Sequence, residues 1–80
     1  MYIIKRDDLF LMAYQHTGIR EMLTDGKLTE VYTCLWCSDP RDAKAFDEES
    51  AACAVAKAIG GGEVMHLDKR RRLKRVRKVN

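Results

Sequence analysis

The segment from Phe46 to Gly62 constrains the fold most, because it carries the clearest helix signal in the chain. Asp47 is the expected N-cap, and the two glutamates that follow it suit the positive end of a helix dipole. The stripe predicted to face a sheet consists of Ala52, Val55, Ala56 and Ile59. We therefore predict a helix from Asp47 to about Ile59, stopped by the three glycines at 60–62.

Strand-forming residues dominate most of the remaining chain. β-Branched and aromatic residues predict strands over Tyr2–Arg6, Leu28–Trp36 and Glu63–Leu67. Leu9 to Tyr14 fits either a strand returning from the first one or the first turns of a helix. We favour a hairpin because Asp7-Asp8 is a two-residue turn signal, whereas the segment from Gly18 to Leu23 stays ambiguous.

A second, shorter helix is predicted to begin at Ser38-Asp39-Pro40 and to end near Ala45. Asp39 suits the N-cap, and a proline at the first helical position loses no hydrogen bond. The predicted fold class is α+β, in the order β(β)-β-α-α-β. It has a small antiparallel or mixed sheet of three to four strands with one main amphipathic helix on one face. Residues 1–67 form the predicted domain, and residues 68–80 form a basic C-terminal tail.

Charge is divided unevenly along the chain. Residues 1–66 hold 7 Lys/Arg and 11 Asp/Glu, a net charge of −4, while residues 67–80 hold 8 and 1, a net charge of +7. Cations at this density attract phosphate, and each phosphate contact releases counterions, so binding is salt-sensitive and largely independent of sequence. The predicted nucleic-acid-binding residues are Lys69, Arg70, Arg71, Arg72, Lys74, Arg75, Arg77 and Lys78. The alternatives are a solubilising terminus and a contact to an acidic protein surface.

The three cysteines raise the question of a metal site. Cys34 and Cys37 have C-x-x-C spacing, and Cys53 with His66 would complete four ligands. On a regular strand, however, Cys34 and Cys37 point to opposite sides. We therefore predict free thiols and no metal ligands.

Several function classes are not indicated. No cofactor loop is predicted, because Gly60-Gly61-Gly62 follows a helix, whereas a phosphate-binding loop precedes one. His16 and His66 lack a nucleophile signature, so we predict no catalytic residues, no cofactor and a protein that is not an enzyme. The longest apolar run, Leu9 to Tyr14, is too short to span a bilayer, and no signal-type segment is seen. We expect a soluble, cytoplasmic protein that has no membrane partner.

The half of the chain before the tail carries the pattern Trp36-x-x-Asp39-Pro40-x-x-Ala43-x-x-Phe46-Asp47-x-x-x-Ala51, continuing to Gly60-Gly61 and Glu63-Val64. It resembles a recurring pattern in small uncharacterised proteins encoded by bacteriophages and prophages. The resemblance implies a strand, a short helix, a longer helix and a strand, and it implies no activity or ligand. Residues 15–30 and the tail depart from the pattern.

Together these features predict a small accessory protein of phage origin, located in the bacterial host's cytoplasm, whose basic tail binds nucleic acid non-specifically. The alternative hypothesis is a protein-binding inhibitor or adaptor, such as a phage antagonist of a host protein. It would act through the sheet face or the 15–30 loop. The sequence leaves the oligomeric state open.

Overall fold

A five-stranded antiparallel sheet carries a single α-helix on one face. This architecture comes from a computed structural model, which describes residues 1–70 and 72–80. The strands are β1 (Tyr2–Arg6), β2 (Leu9–Met22), β3 (Leu28–Cys37), β4 (Gly62–Leu67) and β5 (Leu73–Val79), and the helix is α1 (Glu49–Ala58). Their order across the sheet is β3-β2-β1-β4-β5, so the first strand lies at the centre and β3 and β5 are the edges.

The predicted fold class, with three to four strands and two helices in the order β(β)-β-α-α-β, is wrong. The described chain is mostly sheet, because the basic segment after Leu67 supplies a fifth strand, β5, that pairs with β4. The predicted helix after Ser38 is only a 3-10 turn over Pro40–Asp42. One α-helix therefore remains.

Alternation along β1 divides the core into two parts. Ile4 faces the helix and Ile3 faces the opposite side, and both are almost completely buried. The buried residues on the helix side are Ile4, Leu11, Phe46, Ala52, Ala56 and Val64. The opposite side holds a smaller cluster of Ile3, Phe10 and Met65, against which Cys37, Ala43 and Leu73 pack.

The segment between β3 and α1 connects these two sides. Asp39 is the N-cap of the 3-10 turn, as predicted, and its carboxylate accepts a hydrogen bond from the Arg41 backbone N–H at 2.9 Å. Ala43 then packs against the smaller cluster, whereas Phe46 belongs to the helix-side cluster. Phe46 forms a bridge with Tyr2 through two backbone hydrogen bonds of 2.8 Å. The chain thus passes beside β1 before the helix begins.

Helix α1 begins one residue later than an N-cap at Asp47 predicts. Its N-cap is Glu48 rather than Asp47, and the side chain of Glu48 makes no capping hydrogen bond. Ala52 and Ala56 have no exposed surface, because their small side chains let the helix backbone approach the sheet closely. The glycines after the helix all have positive φ, as a left-handed stop requires.

The segment after Asp7-Asp8 is a strand, so the hairpin interpretation is confirmed. β2 is longer than expected and forms a long hairpin with β3. Residues 15–30 of this hairpin, which we call the arm, are exposed apart from a half-buried Thr29. The arm contributes to the elongated shape of 44 × 21 × 20 Å. Two register irregularities interrupt β2, at Met12 and between His16 and Arg20.

Candidate nucleic-acid interface

The predicted binding residues lie on an edge strand and on the turn that leads into it. β5 pairs with β4 from Leu67↔Leu73 to Gly62↔Val79. Val79 packs against the helix-side cluster and Leu73 against the smaller cluster on the other side. Apolar residues at the two ends of β5 therefore attach the strand to the core, and the basic residues lie between them.

Asp68 organises the turn between β4 and β5. Its Oδ1 accepts hydrogen bonds from the backbone N–H groups of Arg70 and Arg72, at 2.8 and 2.9 Å. Its own backbone N–H donates to the carbonyl oxygen of Arg72 at 3.2 Å. An aspartate that bonds to backbone N–H groups two and four residues later holds the chain in a tight turn. The side chains of Lys69, Arg70 and Arg72 are left exposed.

Strand register places the cations of β5 on both sides of the sheet edge. Lys74 lies opposite His66 and Arg77 opposite Val64, so both point to the helix side. Arg75, opposite Met65, and Lys78 point to the other side. Val76 is an extra residue at which the register shifts by one position. Side chains alternate between the two sides of the sheet before Val76 and again after it.

These side chains are accessible and scarcely neutralised by the rest of the protein. All seven described cations of the segment are exposed: Lys69, Arg70, Arg72, Lys74, Arg75, Arg77 and Lys78. Within residues 1–70 and 72–80 the segment forms one ion pair, from Arg77 Nε to Glu49 Oε1 at 3.6 Å. Both of those side chains are well solvated, so the pair is weak. We call this set of cations the basic edge; the eighth predicted residue, Arg71, lies outside the described residues.

One carboxylate lies beside the basic edge without cancelling it. Glu63 on β4 faces the side opposite the helix, directly between Lys78 of β5 and Lys5 of β1. Opposite charges at directly facing positions attract modestly. Since two lysines flank a single glutamate, that row of the sheet stays net positive.

The four residues considered as zinc ligands, Cys34, Cys37, Cys53 and His66, do not come together. Cys34 packs in the helix-side cluster, whereas Cys37 packs against the smaller cluster on the other side of the sheet. His66 packs edge-on against Tyr2, with 5.2 Å between the ring centroids. The described residues contain no group of three or more His, Cys, Asp or Glu that could hold a metal ion.

Cys37 has the only thiol with a shifted acidity among the described residues. Burial, followed by the negative charge of Asp42, raises the pKa of the Cys37 thiol. Its Sγ donates weak hydrogen bonds to the carbonyl oxygens of Asp39, at 3.3 Å, and Phe10, at 3.5 Å. A raised pKa means less thiolate at neutral pH, so this thiol is a poor nucleophile.

The aromatic residues serve mainly in packing. Tyr2, Tyr14 and Trp36 are half-buried against the helix-side cluster. The guanidinium of Arg6 lies over the Trp36 ring, 4.9 Å from its centroid. None of these three side chains adjoins the basic edge as a stacking platform for bases would.

Two features of the basic edge were missed in the sequence. Leu73, Val76 and Val79 recur at intervals of three within a run of cations, a spacing that does not match the two-residue alternation of a regular strand. The extra residue at Val76 explains this spacing, because it places Val79 on the helix side of the sheet whereas Leu73 lies on the other side. Asp68 is also a residue typical of turns, and it could have indicated the turn between β4 and β5.

The described part of the chain contains no helix long and apolar enough to cross a membrane. Comparison with protein families, with curated protein sequences and with solved structures gave no match. A functional assignment must therefore rest on the chain's own residues, above all on the basic edge.

Proposed function

We propose that this protein is a non-enzymatic accessory protein that binds nucleic acid through the basic edge, without sequence preference. The observation that supports the proposal is the display of seven exposed cations on one ordered edge, of which one forms an ion pair within the described residues. Phosphate contacts of this kind carry non-specific affinity for nucleic acid.

The dimensions of β5 suit a phosphate backbone. Seven strand residues extend over about 20 Å. Along one nucleic-acid strand, phosphates follow at about 3.4 Å per residue of helix axis, so β5 alone spans about six phosphates. Arginine occupies two positions of β5, Arg75 and Arg77, and its planar fork pairs with phosphate through two hydrogen bonds.

The rest of the domain favours one orientation of approach. Residues 1–66 carry a net charge of −4, and two of their carboxylates, Glu49 and Glu63, lie beside the basic edge. A polyanion is attracted to β5 and repelled by the remainder of the protein. The chain therefore has a single electrostatically favoured side for nucleic acid.

Fluorescence anisotropy with labelled RNA and duplex DNA tests the proposal at several salt concentrations. Deleting β5 would remove a strand that packs into the core, so charge-removing pairs are better: Lys74→Gln with Arg77→Gln, and Arg75→Gln with Lys78→Gln. The matched control is Lys27→Gln with Lys57→Gln, which removes the same charge from exposed positions elsewhere.

We expect each edge pair to weaken binding and to flatten the dependence of log K on log salt by about 0.9 for each lost duplex phosphate contact. The control pair should leave that slope unchanged. Equal losses in the edge and control variants would reduce the effect to net charge and overturn the assignment of the site. Failure of the unmodified chain to bind either nucleic acid at low salt would overturn the function itself.

The arm favours a second candidate function, binding to a host protein. It exposes large apolar side chains, with Ile19 59%, Met22 71% and Leu28 60% accessible. Surfaces of this kind mark protein contacts more often than nucleic-acid contacts. If this candidate holds, the chain should capture a stoichiometric protein partner from nuclease-treated bacterial lysate. Ile19→Ser with Met22→Ser should abolish that capture and leave nucleic-acid binding intact.

A phage or prophage origin of the protein is proposed from the sequence resemblance alone.

A further inference from the structure

The two edges of the sheet differ sharply in how well they resist pairing with another strand. β5 holds four cations in seven residues and a register shift, both of which discourage strand addition. β3 holds ten residues, of which Glu30 alone is charged, and it contains no proline, glycine or lysine. An edge of this length with so little protection is a template for another strand.

Three contacts show which backbone groups of β3 face outward. Just before β3, the carbonyl oxygen of Lys27 accepts from the Leu23 N–H, and within β3 the carbonyl oxygen of Val31 accepts from the hydroxyl of Thr17 on β2. Leu11, which lies opposite Trp36, turns its carbonyl away from β3 to accept from the Lys44 N–H. Odd-numbered residues of β3 thus bond toward β2. The N–H and C=O groups that face the free edge belong to the even-numbered residues, namely Leu28, Glu30, Tyr32, Cys34 and Trp36.

Helix α1 leaves this edge open. It packs over β4, β1 and β5. A cleft of about 370 Å³ separates β3 from the exposed side of the helix, and its lining includes Leu28, Tyr32 and Ala58. A strand added beside β3 would therefore not displace the helix. Leu35, which is 56% exposed on the opposite side of the sheet, is also uncovered.

We propose that β3 pairs with β3 of a second copy of this chain, in an antiparallel two-fold dimer with a continuous ten-stranded sheet. Facing residues must lie on the same side of the sheet, which restricts the register. Centring the two-fold axis at Thr33 places Tyr32 opposite Cys34 of the second copy, and Glu30 opposite its Trp36. These are the residues with outward backbone groups, so each facing pair exchanges two hydrogen bonds.

Charge complementarity supports a second copy as the occupant in this register. Glu30 now has two long contacts, 3.5 Å to His16 Nε2 and 3.4 Å to the Tyr32 hydroxyl. In the dimer it would face a Trp36 ring that carries the guanidinium of Arg6. On the other side of the sheet, exposed Leu35 would face Val31 of the second copy. Every side chain on β3 thereby meets an uncharged or oppositely charged neighbour.

Other pairings of the two edges are less favourable. β5 against β5 would set lysines and arginines opposite one another, which is destabilising. β3 against β5 leaves each copy with a further free edge and so generates open chains instead of a closed assembly. Of the two pairings that close on themselves, the β3 pairing is the one that avoids facing like charges, and it leaves the basic edges free.

Sedimentation equilibrium and amide hydrogen exchange of the full chain test the proposal. A single strand edge is a small interface, so we expect a Kd on the order of tens of micromolar. As concentration rises through that range, exchange at the amides of Glu30, Tyr32, Cys34 and Trp36 should slow at least tenfold. The Thr33 amide, which already bonds toward β2, should change little. A chain that stays monomeric at millimolar concentration, or a dimer that leaves the four amides unprotected, overturns the proposal.

Substitutions at the two-fold axis provide a second test. Thr33→Lys should abolish the dimer, because it sets two cations against each other at the axis. Val76→Lys on the other edge should leave the dimer intact. A dimer unaffected by Thr33→Lys refutes the register.

Thr33→Cys should give a disulfide-linked dimer under mild oxidation, because facing Cα atoms at such a position are about 4.5 Å apart. Thr24→Cys, in the exposed turn of the arm, is the matched control. Cross-linking no faster than in that control counts against the proposal.

Discussion

Arg6 donates hydrogen bonds to the carbonyl oxygen of Gly61 from two guanidinium nitrogens, Nε at 3.1 Å and Nη2 at 2.6 Å. Nη2 also donates to the carbonyl of Ile59 at 2.7 Å. The last carbonyls of a helix lack partners within it, and a cation is favourable at that negative end. A residue of β1 thus stabilises the end of α1, more than fifty residues later in the chain.

Replacing Arg6 should destabilise the fold through these contacts. We expect Arg6→Ala to lower the free energy of unfolding by about 2 kcal/mol, since hydrogen bonds from charged donors are lost and Trp36 is uncovered. Arg6→Lys should have a free energy of unfolding between those of the unmodified chain and Arg6→Ala, because an ammonium keeps the charge but lacks the planar fork. Urea denaturation measures both. Arg20→Ala on the exposed arm is the control and should change stability by less than about 0.5 kcal/mol.

Gly61 should tolerate no side chain. Its φ is +112°, and an added Cβ would lie 2.9 Å from the Val79 carbonyl oxygen. We expect Gly61→Ala to cost about 2 kcal/mol or more, through strain and displacement of the end of β5. Gly18→Ala, where φ is +80° and no atom lies within 4 Å, isolates the backbone effect and should cost about 1 kcal/mol. Equal costs at the two sites in thermal denaturation would contradict the close approach.

Ala56 should resist enlargement because it separates α1 from the sheet. It has no exposed surface, so Ala56→Leu should destabilise by about 1–3 kcal/mol as the helix is pushed away. Ala54→Leu, on the exposed side of the same helix, should change stability by less than about 0.5 kcal/mol. A neutral result at Ala56 in chemical denaturation would mean that the helix is not held tightly.

The raised pKa of Cys37 predicts a pH dependence with a definite sign. The folded state keeps this thiol protonated at a pH at which the unfolded chain has begun to lose the proton. The stability that this residue contributes is therefore complete below the ordinary thiol pKa and is lost as pH rises from there through the raised pKa of the folded state. Denaturation curves in alkaline buffer should show the decline in the unmodified chain and a smaller decline in Cys37→Ala.

Alkylation checks the same group chemically. At pH 8, iodoacetamide should modify Cys37 more slowly in the folded protein than in urea, because less thiolate is present and access is reduced. Peptide mapping assigns the rate to this cysteine rather than to Cys34 or Cys53. Equal rates in the two states would contradict the raised pKa.

The sequence predicted local elements better than their assembly. Tyr2–Arg6, the two-residue turn at Asp7-Asp8 and the start at Asp39-Pro40 were each identifiable because their signals lie within a few residues. The helix after Phe46 was identifiable too, although its first residue was displaced because Glu48 rather than Asp47 has the N-cap position. Pairing between strands far apart in sequence leaves no such local signal.

The basic edge shows why the site was only half predictable. Its composition predicted a segment that binds anions. The density of charge also predicted a tail outside the domain, since repulsion between neighbouring cations disfavours order. Pairing with β4 and burial of Leu73 and Val79 at the two ends outweigh that repulsion. For the cysteines, strand alternation was the better guide than spacing: it predicted that Cys34 and Cys37 point to opposite sides of the sheet, and this is confirmed.

The central position of β1 has a consequence for how the chain acquires its structure on the ribosome. β1 pairs with β2, its neighbour in sequence, for only two residue pairs, but with β4 for four. Ile3 and Ile4 therefore stay incompletely enclosed until β4 has been synthesised and has left the exit tunnel. Long-range pairing of this kind is slow to form, so an early-emerging hydrophobic strand must wait for its main neighbour, and we infer that folding is completed late in translation or after it.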